Sequence, residues 1–171
     1  MYPSFFSPKT NIYSTQIVWL ARFICALGAQ YYGSDRKDNT NFSSFDIIVS
    51  SYGTIASDYK NPGASKLLTT KFERLVMDEA HQLANPSTAQ SKACREVRAR
   101  SRWALTGTPC ANALDDIFGL ARVIKYEPWN SKAVWKDFVH NKSGQDVNMG
   151  KSMKRVGRIL KEVMIRRTMM R

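Results

Sequence analysis

Phe72-Glu73-Arg74-Leu75-Val76-Met77-Asp78-Glu79-Ala80-His81 is a run that turns apolar just before two adjacent carboxylates. Such a run is the pattern of a parallel strand buried on both faces, and ligands of open α/β sheets bind beyond the carboxyl ends of the strands. Acids at that point lie where a phosphate-bound metal would be. The chemistry this predicts is nucleotide hydrolysis, with Asp78 holding Mg2+ through its water shell and Glu79 orienting or deprotonating the attacking water. His81, two residues on, is placed to sense the γ-phosphate. The competing reading is a wet turn in which Asp-Glu simply ends a strand.

A second stretch narrows the choice. Arg102-Trp103-Ala104-Leu105-Thr106-Gly107-Thr108-Pro109 is again a short apolar run, and it opens into a small hydroxyl-rich loop followed by Asn112 and a helical pattern. Two strand ends bearing Asp-Glu-x-His and Thr-Gly-Thr-Pro in this order are a stronger signal together than either is alone.

With these motifs the sequence resembles the first RecA-like lobe of the SWI/SNF-type DNA-dependent ATPases, within superfamily 2 of the helicase-like proteins. Phe45-Asp46-Ile47-Ile48-Val49-Ser50-Ser51-Tyr52 upstream and Arg166-Arg167-Thr168 downstream are most similar to the branch containing the helicase-like transcription factor and the post-replication repair ubiquitin ligases. The resemblance covers roughly residues 27 to 168. It implies an α/β fold, an incomplete RecA-like lobe with a parallel sheet flanked by helices and a helical C-terminal extension. The expected division is an irregular lead-in over 1–16, the partial lobe over 17–127 and the extension over 128–171. The family's cofactors are ATP and Mg2+ and its partner is duplex DNA, held by its backbone, with chromatin or repair-complex proteins beside it in the nucleus. Carried onto this sequence, the DEAH-type motif assigns catalysis to Asp78, Glu79 and His81. Thr106, Gly107 and Thr108 would couple the ATP state to the DNA grip. Ser51, Tyr52, Asn112, Arg166 and Arg167 fall at positions expected to contact nucleic acid. Ala84, Ala111 and Met169 depart from the family's usual basic residue, glutamine and lysine. An RNA helicase of the DEAH-box group is disfavoured, because that group carries Ser-Ala-Thr where this chain has Thr-Gly-Thr-Pro.

Bulk properties agree with a nucleic-acid partner. The 171 residues suit one domain, and 26 Lys and Arg against 14 Asp and Glu leave a net charge of +12, which favours a polyanion. A hydrophobic content of 43%, a mean hydropathy of -0.37 and a pI near 9.8 describe a soluble, basic chain. Cys25, Cys94 and Cys110 are far apart and form no C-x-x-C pair, and His81 and His140 are the only histidines, so neither a disulfide scaffold nor a zinc site is predicted. The apolar run 17–27 is too short to span a bilayer and contains Arg22, and no secretory signal is expected.

Along the chain, Ile17, Leu20, Ala21, Ile24 and Leu27 recur at helical spacing and predict an amphipathic helix packed on the sheet. Residues 29–34 resemble a strand and turn of the family, and the charged and polar residues 34–44 read as a surface loop. Phe45 to Val49 predict a buried strand whose hydroxyl-bearing end, Ser51 and Tyr52, either faces the DNA track or is an ordinary strand cap. Residues 58–66 read as a turn-rich connector. A helix is expected to start at Asn85-Pro86-Ser87, with Ala89, Ala93, Cys94 and Val97 on one face. Asn112 is placed to cap the next helix, whose buried stripe is Leu114, Ile117, Phe118, Ala121 and Ile124. Val134, Trp135, Phe138 and Val139 share a face and read as core. Between Lys151 and Lys161, basic residues interleave with Met153, Val156, Ile159 and Leu160 in an amphipathic helix that either touches DNA or is solvated.

The ATPase chemistry needs a glycine-rich loop that cradles phosphate. Gly28 and Gly33 have its spacing, but Ser34 and Asp35 follow where Lys and Ser or Thr are required, and Gly150-Lys151-Ser152 lacks the first glycine and lies after the acidic motif. The expectation is therefore a piece of a DNA translocase that begins after the phosphate loop and ends before the second lobe, with exposed apolar surface or open strand edges. The alternative is a non-catalytic remnant that binds DNA or a family partner through its basic surface.

Overall fold

The computed structural model describes residues 18–21, 28–31, 41–61, 65–110, 114–140 and 149–166. Five strands form one sheet: β1 (Val18–Ala21), β2 (Gly28–Gln30), β3 (Ile47–Ser50), β4 (Lys71–Met77) and β5 (Arg98–Ala104), in the order β2-β3-β1-β4-β5. The pairs β2–β3 and β4–β5 are parallel, and β1 joins them by pairing antiparallel with both β3 and β4. The segment expected to be helical over 17–27 is thus a strand where it is described. Val18-Trp19-Leu20 is a contiguous apolar run rich in β-formers, and periodicity alone does not separate such a run from a helix. Two neighbouring strands that satisfy its backbone on both edges decide the matter.

Among the described residues six α-helices accompany the sheet: α1 (Tyr52–Lys60), α2 (Lys66–Thr69), α3 (Ala89–Glu96), α4 (Leu114–Val123), α5 (Lys132–Trp135) and α6 (Met149–Val163). Ser51 caps α1, its hydroxyl accepting from the Thr54 N–H at 3.1 Å. The supposed connector 58–66 is therefore helical at both ends. Thr88, rather than the Asn85–Ser87 stretch, caps α3 by accepting from the Ser91 N–H at 3.2 Å. Asn85 instead shapes the turn before it, accepting from the Ser87 N–H at 3.0 Å. Strong cap residues in succession leave the start ambiguous in sequence, and the first in order is not the one used.

One core forms where β3 and β4 meet α1, α2 and α3, around Ile48, Tyr52, Ile55, Leu67, Leu75, Met77 and Val97. A second joins Ile117 and Phe118 of α4 to Trp135, Val139, Val156 and Ile159. α4 belongs to both, because its Leu120 and Val123 lie in the first core. Trp135 adds a polar tie, its indole N–H donating to Asp115 at 3.1 Å. Of the predicted apolar face of α6, Val156 and Ile159 are buried, but Met153 is 59% exposed. The face is narrower than the interleaving suggests.

Strand β4 is not buried on both sides. Leu75 and Met77 point into the core and Phe72 packs half-buried against it, whereas Arg74 and Val76 are half-buried on the other face. On this second face Arg74, Val76, Trp103 and Leu105 line an open depression. Trp103 is 48% and Leu105 46% exposed.

Arg102 shows how the helix side is locked. Its guanidinium donates to the carbonyls of Cys94 and Val123 at 3.1 Å each, and also to those of Arg95 and Val97. The carbonyl-rich C-terminal ends of α3 and α4 are thereby held by one side chain on β5, and the C-terminal ends of helices favour a cation.

Candidate active site

Strands β4 and β5 run parallel, so their carboxyl ends emerge side by side. Past those ends the backbone continues to pair: the Leu105 N–H donates to the Met77 carbonyl at 2.8 Å, and the Ala80 N–H donates to the Leu105 carbonyl at 2.9 Å. These two bonds staple the Asp78–Glu79 turn to the loop that begins at Thr106.

Asp78 is half-buried and its carboxylate accepts from the Glu79 N–H at 3.0 Å. Glu79 occupies the left-handed region, with φ 47° and ψ 43°. A non-glycine residue there costs roughly 1–2 kcal/mol and persists only where its surroundings fix it. The conformation turns the chain sharply into a single 3-10 turn, Ala80–Leu83, and leaves the Glu79 side chain exposed.

His81 links the two motifs. Its Nδ1 lies 3.3 Å from the Glu79 carboxylate and 3.4 Å from the Thr106 hydroxyl. With a proton on Nδ1 the ring donates toward Glu79; in the other tautomer it accepts from Thr106, so the hydroxyl and the carboxylate compete for one nitrogen. Thr106 in turn accepts from the Thr108 N–H at 3.1 Å, which shapes the loop. Gly107 has open space around its Cα. The structure therefore brings together Asp78, Glu79, His81, Thr106 and Thr108.

The residues expected to contact nucleic acid are placed differently. Tyr52 is 1% exposed and its hydroxyl donates to the Asp78 carbonyl at 2.6 Å, so it presents no face to a polyanion. This corrects the expected contact: the ring is the first large residue of α1 and core packing claims it. Burial, with the nearby Cys94, Asp78 and Glu79, pushes the Tyr52 phenol well above its usual range, which keeps it a donor. Ser51 is half-buried and is the cap of α1, the more ordinary of the two roles read for it. Arg166 is exposed just past α6, whereas Asn112 and Arg167 lie outside the described residues. Ala84, where relatives were expected to carry a basic residue, is buried beneath α4.

The donors suit a hard cation only as a shared ligand set. Among the described residues no group of three or more His, Cys, Asp or Glu could hold a metal ion. One or two carboxylates with several waters and substrate phosphates is, however, the way Mg2+ is bound at nucleotide sites, and Asp78 with Glu79 nearby fits that pattern. Also among the described residues, no helix is long and apolar enough to cross a membrane. The Gly150-Lys151-Ser152 sequence lies in the first turn of α6, where the Ser152 hydroxyl is buried and donates to the Val139 carbonyl at 2.7 Å.

Comparison with known proteins places this geometry in context. The model of the SNF2-related domain matches residues 19–171. The chain is 36% identical over 125 residues to DNA repair protein RAD5 of Gibberella zeae, covering 64% of this chain and 11% of that protein. It is 34% identical over 141 residues to the helicase-like transcription factor of Oryctolagus cuniculus, covering 81% and 14%. Among solved structures, the Sulfolobus solfataricus SWI2/SNF2 ATPase core in complex with dsDNA superposes with a TM-score of 0.66 at 26% identity, over 84% of this chain and 28% of that one. The chain thus spans a small part of the length of these relatives.

Proposed function

The chain belongs to the SNF2-related domain family, and from that premise we propose that it forms part of the first lobe of an ATP-dependent DNA translocase acting in DNA repair or chromatin remodelling. The observation that carries this reading is the stapling of the Asp78–Glu79 turn to the Thr106 loop, with His81 in contact with both. In this account Asp78 would hold Mg2+, and the ion, when bound with ATP, would screen the phosphate charge. Glu79 orients the attacking water and takes its proton. His81 reports the state of that site to Thr106, whose hydroxyl gains or loses the ring as its acceptor while it goes on accepting from the Thr108 amide, and the loop carries the change toward bound DNA. Exposed Arg166, with Arg167 after it, serves the nucleic-acid side. This reading requires a phosphate loop and a second lobe working with this lobe, in the nucleus beside repair or chromatin proteins.

A second reading, binding without catalysis, is favoured by α6. Lys151, Lys154, Arg158 and Lys161 are exposed and carry a stripe of positive charge. At 3.6 residues per turn they fall within an arc of about 80° and span about 15 Å of helix. A duplex presents one phosphate per roughly 1.7 Å of axis, so such a stripe can neutralise several.

The test is DNA-stimulated ATP hydrolysis by the polypeptide at its native length, with and without Glu79→Gln. Loss of about 100-fold or more in kcat with DNA binding retained is expected from removal of the base. Undiminished turnover in the variant would overturn the assignment. A parent protein with no hydrolysis, but with salt-dependent and ATP-independent DNA binding, would establish the second reading instead.

A further inference from the structure

Tyr52 stands outside the motifs that define the site, yet it touches the peptide on which the site turns. We propose that Tyr52 is a positioning residue for Glu79: its hydroxyl holds the Asp78 carbonyl and so fixes the left-handed turn that aims the Glu79 carboxylate. The inference rests on the reading of Glu79 as the residue that handles water.

The backbone conformation of Glu79 is set by the orientation of the two peptide planes that flank its Cα. The first plane carries the Asp78 carbonyl and the Glu79 N–H, and the second the Glu79 carbonyl and the Ala80 N–H. All four groups are engaged. The Glu79 N–H is bound by the Asp78 carboxylate at 3.0 Å, and the Glu79 carbonyl accepts from the Gln82 N–H at 3.1 Å. Both of these partners lie in the same short turn and would move with it. Among the described residues the outside anchors are two: the Leu105 carbonyl on the second plane at 2.9 Å, and the Tyr52 hydroxyl on the first at 2.6 Å.

Remove the Tyr52 hydroxyl and the first plane is tied only to its own turn. Strand β4 ends at Met77, so the Asp78 carbonyl is past the strand's ladder, and a half-buried carbonyl left without a donor favours rotation toward water. That rotation is the one which releases Glu79 from φ 47° toward the commoner region of negative φ. Tyr52 itself is well anchored. It opens α1, whose N-terminus is capped by Ser51, and its ring is packed in the first core. The acidic turn is thus held from β5 on one side and from the β3–α1 junction on the other.

Tyr52→Phe keeps the ring and deletes the hydroxyl. In the polypeptide at its native length, amide hydrogen exchange over residues 78–81 should accelerate by about tenfold or more while the interior of β4 is unchanged. The kcat for ATP hydrolysis should fall by about tenfold or more, since small misplacement of a catalytic group is costly, with KM for ATP and the Kd for DNA unaltered. Unchanged exchange at the turn would overturn the proposal, whatever the protein's activity. Exchange raised evenly through the sheet would also overturn it, marking Tyr52 as a core residue alone. A parent in which Glu79→Gln turns over normally would defeat the reading of Glu79, and exchange at 78–81 would still decide whether Tyr52 holds the turn.

Discussion

Cys94 and Cys110 differ by environment rather than by type. Cys94 is fully buried, and loss of hydration pushes its thiol up to about 12, a rise only partly opposed by the Arg102 guanidinium nearby. Cys110 is exposed, with a smaller upward push from partial burial and from Asp116. At pH 8 the thiolate fraction of Cys94 is on the order of one in ten thousand, and access is blocked as well. Iodoacetamide should therefore modify Cys110 in the native protein and reach Cys94 only on unfolding; prompt native-state labelling of Cys94 would contradict the burial described. The sign of the pH effect follows from the same burial. The folded state holds the Cys94 proton more tightly than the unfolded chain, so this contribution to stability is complete below the ordinary thiol range and is lost as pH rises from about 9 toward 12. Tyr52 adds in the same direction. At this scale the sequence was legible in the acids and the histidine, whose chemistry is local. Tyr52 was not, because an aromatic after a strand end fits a surface as well as a core until the partner 26 positions away is known.

At the scale of elements, α4 couples the motif turn to the C-terminal helices by an unusually close approach. A Cβ built on Gly119 would lie 1.6 Å from the Ala84 carbonyl oxygen, with the Ala84 backbone carbon at 2.4 Å. Backbone rather than a flexible side chain stands in the way, so any substitution forces α4 off the end of the Ala80–Leu83 turn. Gly119→Ala should cost about 1–3 kcal/mol, read as a lowered midpoint in urea or thermal unfolding, although alanine is the better helix former. An unchanged midpoint would refute the contact. The stripe Leu114, Ile117, Phe118 and Ala121 was readable from its spacing, and so was the core role of Trp135 and Val139. The glycine's role was not, since the close neighbour comes from another element. Strand β1 shows the complementary case. Positions 17, 20, 21, 24 and 27 fit a helix, but pairing with β3 and β4 offers hydrogen bonds on both edges and overrides that weak periodicity.

At the scale of the whole molecule, two cores share α4, the helix side of the sheet is tied by Arg102, and the opposite face leaves Trp103 and Leu105 open among the described residues. The lobe class was legible because its two motifs sit at the ends of neighbouring parallel strands, a relation that motif order carries in one dimension. The antiparallel β1 and the one-sided burial of β4 were not, because both depend on which strands become neighbours. What the fold achieves is to make one site of two distant segments. The direct test of that unity is a double-mutant cycle on DNA-stimulated ATP hydrolysis by the native-length polypeptide, using His81→Ala, Thr106→Val and the pair. If the turn and the loop act together through the His81 Nδ1 contact, the double variant will be no slower than the worse single one. Losses that multiply independently would contradict the account.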